Sequence, residues 1–215
     1  MKQNHQIKLE SHGEAHITEV KERALAINKY LEDNLGIHAD MEIINLAADF
    51  HDSTAMTDRP NHHLSGAELF ISTTKGTYNI LTQRRVAECI REHRASFKGE
   101  YSSLESQILS TADRGDINPN KISDLFRRAY TYSRENNLSH NDAVLSAFSH
   151  IKSKYGREGY AFNKHNKVFF IYYKDQLEKF WEALKLVDKA YVFSLLEDMR
   201  DREYNLQPTE EDYYR

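Results

Sequence analysis

At 215 residues, with 40% hydrophobic and 29% charged side chains, the chain fits one domain, or one domain with an extension, and can bury a core. A formal net charge of −4 argues against a general nucleic-acid binder, because such proteins usually carry a basic face, although a local basic pocket remains open. The single cysteine, Cys89, cannot form an internal disulfide, which fits a reducing cytoplasm.

In chain order, Met1-Lys2-Gln3-Asn4-His5-Gln6 has no apolar core and does not read as a signal peptide. No later stretch approaches the length that spans a bilayer, so no membrane partner is expected. Three prolines and eight glycines leave long uninterrupted periodic stretches, which predict an all-α protein. Ser11-His12-Gly13-Glu14 has the form of a capping box and predicts the first helix start at Ser11. Val20, Ala24, Ile27 and Leu31 then recur at helical spacing, and His16, four residues before Val20, shares their inward face. Gly36 marks the stop. A second helix is predicted from Met41 to His51, followed by a loop from Ser53 to Pro60. The third begins around Asn61 and carries Leu64, Ala67, Glu68 and Leu69. Gly76 separates it from a fourth, Tyr78 to about His93, with Val86, Ile90 and His93 along one face. A fifth covers Ser103 to about Arg114, and Asp113 follows Leu109 by four residues, facing the core.

Asn118-Pro119-Asn120 is a break. Residues 119–206 read as a helical extension packed on the first part, and 207–215, containing Glu210-Glu211-Asp212, as a flexible acidic tail. Ile122 to Arg134 and Asp142 to Ile151 read as amphipathic helices, and Gly156 and Gly159 bound a loop. Val168 to Tyr173 is a short strand or a helix entry, and Leu177 to Met199 reads as one long helix. Arg127-Arg128-Ala129-Tyr130-Thr131-Tyr132-Ser133-Arg134 mixes cations with aromatics, as a nucleotide pocket does. More often such a stretch is a solvated helix face over packed tyrosines. Lys152, Lys154 and Arg157 invite the same two readings. Phe169-Phe170-Ile171-Tyr172-Tyr173 and Phe180-Trp181 are core, or alternatively a homodimer surface. Cys89 reads as a buried small apolar residue.

The chemistry concentrates elsewhere. His51-Asp52 closes the apolar run Ile43-Ile44-Asn45-Leu46-Ala47-Ala48-Asp49-Phe50, with His16 upstream and His62-His63, His93 and Asp113 downstream. Histidine and aspartate hold catalytic metals while leaving positions open to water and substrate. Taken singly, an inward histidine is more often a hydrogen-bonded core residue. Several ionisable groups on inward faces of separate helices would be costly to bury together, and a shared cation removes that cost.

The ordered series resembles the HD-domain superfamily of metal-dependent phosphohydrolases over about residues 10–118. Ser11 to Val20 resembles its first-helix motif, with a histidine four residues before a valine. Leu46-Ala47-Ala48-Asp49-Phe50-His51-Asp52 resembles the His-Asp segment. His62-His63-Leu64-Ser65-Gly66-Ala67-Glu68-Leu69 is similar to the helix start in which a histidine precedes Gly-Ala by four. Ile90-Arg91-Glu92-His93 resembles the next ligand segment, and Leu104 to Arg114 the last, which ends in Ala-Asp.

The resemblance implies an HD-domain helical bundle with a C-terminal helical extension, residues 10–118 forming the catalytic domain. It implies that His16, His51, Asp52 and Asp113 hold one metal, and that His62 and His93 hold a second with Asp52 bridging. His63 replaces His62 if the helix is displaced by one residue. The expected cofactor is a divalent transition metal, two ions of iron, manganese, cobalt, nickel or zinc. The expected activity is hydrolysis of a phosphoester or phosphoanhydride bond of a nucleotide or dinucleotide by metal-activated water. Asp52 and His12 are the catalytic candidates, with His12 or His63 as proton donor. Arg59, His63, Arg94 and Arg114 are the candidates for substrate binding, since arginine grips phosphate through two parallel hydrogen bonds. Many members carry Gly and Lys soon after the His-Asp pair, whereas Ser53-Thr54-Ala55-Met56 follows here, so the substrate is not carried over. A di-iron oxygenase of HD type and an inactive nucleotide-binding sensor are the competing readings.

Overall fold

A computed structural model describes residues 14–202. Their α-helices are α1 (Glu14–Leu35), α2 (Met41–Phe50), α3 (His62–Thr73), α4 (Ile80–Glu92), α5 (Leu104–Asp113), α6 (Ile122–Glu135), α7 (His140–Tyr155), α8 (Lys167–Tyr172), α9 (Lys174–Leu186) and α10 (Lys189–Leu196). Among the described residues the only extended pairing is one isolated bridge, Lys75 to Tyr78, so the regular structure is all-α. Also among them, no helix is long and apolar enough to cross a membrane. The proposed Ser11 cap, His12 and the acidic tail from Gln207 lie outside the described residues.

Local chemistry sets the helix limits. Gly36 adopts φ +67°, a left-handed conformation that glycine accepts without steric penalty, and its N–H reaches back to Glu32 O at 3.0 Å to end α1. Asp40, Asn79 and Ser103 each lend a side-chain oxygen to an exposed amide in the first turn of α2, α4 and α5. Such a cap is worth about 1 kcal/mol.

The described chain divides into two compact units. One comprises Ile17–Asp116 and Tyr160–Asp175. Its core is the stripe foreseen on α1, Val20, Ala24, Ile27 and Leu31, all fully buried, packed with Ile43 and Ile44 of α2, Phe70 of α3, Val86 and Ile90 of α4, and Ile108 and Leu109 of α5. Small residues let the helices come close. At Gly66 in α3 an added Cβ would meet Phe50 O at 3.1 Å, so glycine permits α3 to approach the end of α2. The segment left open between strand and helix is helical: α8 starts at Asn166, whose side chain accepts from Phe169 N and also contacts Thr111 and Gln107.

The other unit contains 14–16, 117–159 and 176–202 among the described residues. Here α6 packs on α7, and α10 on both. Tyr130 O–H meets His140 Nδ1 at 2.8 Å in its interior. The single helix expected from Leu177 to Met199 is broken. Lys152 Nζ donates to Leu184 O at 2.5 Å and so satisfies a terminal carbonyl of α9, and Asp188 accepts from Tyr191 N at 2.8 Å and starts α10 afresh. The boundary between the units falls in the first turn of α1, so the same continuous helix carries His16 and the Val20 stripe.

Candidate metal centre

The apolar run of α2 ends at His51, its C-cap, and Asp52 follows in the turn. His51 is fully buried, with Nδ1 2.8 Å from Ala48 O. A carbonyl can only accept, so Nδ1 carries the hydrogen and Nε2 is the atom turned toward the cluster. His93, the C-cap of α4, repeats the arrangement with Nδ1 2.6 Å from Ile90 O. His62, the first residue of α3, sets Nδ1 2.8 Å from Arg59 O. Each histidine thus has the same tautomer imposed by a carbonyl three residues earlier.

The three Nε2 atoms converge on one carboxylate. Asp52 Oδ2 lies 3.5 Å from His51 Nε2, while Oδ1 lies 3.2 Å from His62 Nε2 and 3.7 Å from His93 Nε2. Asp113 Oδ1 lies 3.5 Å from His51 Nε2. His16, at 4% exposure, completes the assembly from α1. Two groups result, His16 with His51 and Asp113, and Asp52 with His62 and His93; within each, the ligand atoms lie within 4.8 Å of one another. All six metal-ligand positions expected from sequence are brought together, and each group could hold a metal ion.

The donor set fits such an ion. His62 Nε2 and His93 Nε2 face each other at 3.2 Å, each on a ring whose other nitrogen is already tied to a carbonyl. Two lone pairs at that distance repel unless a proton or cation stands between them. Mixed imidazole and carboxylate donors suit divalent transition ions. Without an ion, protons carry the charge balance. Burial works to lower the pKa of His51, but the Asp52 and Asp113 carboxylates outweigh it and push it up to about 9. His93 goes the other way, to about 4, through burial and the neighbouring His51 charge. The metal-free cluster therefore keeps its proton on His51.

The residues expected at the substrate are distributed differently. Arg59 is exposed. His63 is partly buried, and burial with the nearby Arg94 charge lowers its pKa, so it is neutral at neutral pH. Arg94 Nη1 donates to Pro60 O at 2.7 Å and approaches His63 Nδ1 at 3.4 Å. Arg114 is the departure. It is 1% exposed, donates from Nη1 to Ser110 O and from Nη2 to Tyr101 O–H, both at 3.0 Å, and sits 5.5 Å from the Phe169 ring. These contacts brace the end of α5 from inside the core. His12 lies outside the described residues.

Supporting residues escaped the sequence reading. Ser110 Oγ donates to His93 O at 2.9 Å and is itself 2.9 Å from Tyr101 O–H. Thr54 Oγ1, in the loop that departs from the family pattern, donates to His62 O at 3.1 Å. Arg23 Nε holds Ala112 O at 2.7 Å, one residue before Asp113. Arg128, read as belonging to a solvated helix face or a nucleotide pocket, places Nη2 2.9 and 3.1 Å from the two ring nitrogens of His16. Serine, threonine and arginine are too common for any of these to stand out in a sequence. No family model, no curated protein and no solved structure matches the chain.

Proposed function

We propose that the chain is an HD-type metal-dependent phosphohydrolase, cleaving a phosphoester or phosphoanhydride bond of a nucleotide or dinucleotide. The observation that carries this reading is Asp52, whose Oδ2 faces His51 while Oδ1 faces His62 and His93. A carboxylate held this way suits a shared ligand, with His16, His51 and Asp113 on one side and His62 and His93 on the other. Bound iron, manganese, cobalt, nickel or zinc would supply a water nucleophile at neutral pH and draw charge from the phosphoryl oxygens.

The protein groups do the rest. The Nδ1 anchors hold three imidazoles in one tautomer, which also raises their basicity as ligands. Burial of His51 and His93 keeps bulk water from screening the cluster. Arg59, exposed beside His62, is assigned to the substrate phosphates. His63 accepts at Nδ1 from Arg94, which leaves its Nε2–H to donate toward a phosphoryl oxygen. His12 remains assigned as proton donor to the leaving group.

The test is product analysis by chromatography after incubating manganese- or iron-loaded protein with a panel of nucleotides and dinucleotides. Release of a phosphorylated product, abolished in Asp52→Ala, is the expected result. No release from any compound overturns the reading, and oxygen consumption with a mixed-valence iron signal replaces it with the di-iron oxygenase.

A further inference from the structure

We infer that Arg94 is a positioning residue for the ion held by Asp52, His62 and His93, and that it acts by clamping the loop that aims His62. The inference rests on reading that group as a metal position.

The loop from Ser53 to Pro60 is held along most of its length by short-range bonds. Ala55 N reaches Asp52 O at 2.9 Å, Asp58 N reaches Thr54 O at 2.9 Å, and Asn61 N reaches Asp58 O at 3.1 Å. Such bonds fix each turn internally but leave its placement against α4 open. Arg94 sets that placement from 34 positions away in sequence, through Nη1 to Pro60 O at 2.7 Å. The neighbouring carbonyl, Arg59 O, is the one that holds His62 Nδ1. Pro60 stiffens the link, because its ring fixes φ and its nitrogen carries no hydrogen.

The connections close on themselves. His93 is followed by Arg94, Arg94 binds Pro60, Pro60 follows Arg59, Arg59 orients His62, and His62 Nε2 returns to His93 Nε2 at 3.2 Å. One strap therefore spans the two imidazoles of a single group. His51 is aimed separately, its Nδ1 held within α2 by Ala48 O. The expected effect of removing Arg94 is thus selective for one of two ions. The same Arg94 Nη1 also approaches His63 Nδ1 at 3.4 Å, so this edge of the guanidinium is engaged on the protein.

The experiment uses the full chain, metal-free and then titrated with manganese, in wild type, Arg94→Ala and Arg94→Lys. Manganese per chain is measured by equilibrium dialysis with elemental analysis, and ion pairing by electron paramagnetic resonance. Wild type is expected to bind two ions with an exchange-coupled signal. Arg94→Ala is expected to keep one ion tightly, to bind the other about 10–100-fold more weakly, and to show an uncoupled signal. Arg94→Lys, whose ammonium can reach a single carbonyl, is expected to recover part of the second-ion affinity. If Arg94→Ala does not fold, the lysine variant carries the same comparison. Hydrogen exchange in the metal-free protein gives a readout independent of any ion: amides in 55–61 should exchange faster in Arg94→Ala. Two tightly bound, coupled ions in Arg94→Ala, or unchanged exchange in that loop, overturns this inference alone. A wild-type chain that binds no manganese overturns it together with the metal reading on which it rests.

Discussion

Asp52 belongs to the group with His62 and His93 and also faces His51, and in the proposed reading it is the ligand both ions share. Replacing it by asparagine keeps the shape but removes the charge and one of the two ligand oxygens. Asp52→Asn should therefore weaken both ions, and hydrolysis should fall by more than the roughly 10–100-fold typical of losing a residue that only supports a ligand. Elemental analysis and turnover on the same preparation check this. In metal-free Asp52→Asn the largest upward push on His51 is gone, so its pKa should drop from about 9, visible in an NMR titration of the ring. At this scale the clustering was readable because apolar periodicity put His16, His93 and Asp113 on inward faces. The surroundings of Arg114 were not readable in the same way. A cation beside a ligand suggests a phosphate contact, and only the fold pairs it with Tyr101 and Phe169.

The elements contribute through their ends and their closest crossings. Gly66 lies one turn after His62 and opposite Phe50 O, which itself accepts from Ser53 N and Ser53 Oγ and so has little room to retreat. Gly66→Val would press a branched three-carbon side chain into that contact and push α3 off α2. We expect a stability loss of about 1–3 kcal/mol by thermal unfolding. We also expect selective weakening of the ion at His62, since the helix that carries it moves. Gly66→Ala should do less of both. Helix limits were largely legible, because Gly36 and Ser103 act through local chemistry that sequence contains, although α4 starts two residues after the expected Tyr78, behind its Asn79 cap. The break between α9 and α10 was not. It depends on Lys152 arriving from α7 to occupy the α9 carbonyls, a contact across 32 positions.

For the whole molecule the cluster sets a pH dependence. His93, at about 4 in the fold and near 6.5 in the unfolded chain, makes unfolding take up a proton between those values. Its contribution to stability therefore rises with pH from about 4 to about 6.5. His51, at about 9 in the fold, binds a proton in the native state that the unfolded chain has lost. Its contribution is present below about 6.5 and disappears as pH rises toward 9. The chelated protein should unfold at its highest temperature near pH 6.5 and lose a few kcal/mol on either side. Metal needs the unprotonated imidazole, so loading should remove the alkaline decline and affinity should climb with pH. Scanning calorimetry from pH 4 to 9, with chelator and with manganese, checks both limbs. The all-α class was legible from scarce breakers and long periodic runs. The grouping of residues 160–175 with 17–116 was not, since it follows from Asn166 meeting Thr111 and Gln107 far away in the chain.

The two imidazoles that end α2 and α4 have a second consequence. Ala48 and Ile90 lie in the last turns, where helix carbonyls lack an amide partner, and the Nδ1–H groups of His51 and His93 occupy them. These candidate ligands are thus also the stoppers of their own helices. On the proposed metal reading, an ion held at Nε2 would stiffen the stopper at Nδ1, so an ion entering the centre would tighten two helix ends at once. Fraying of either end would in turn swing a donor nitrogen out of line. Ion affinity and the firmness of two helix termini would then be one property of this fold, seen from opposite sides of the same ring.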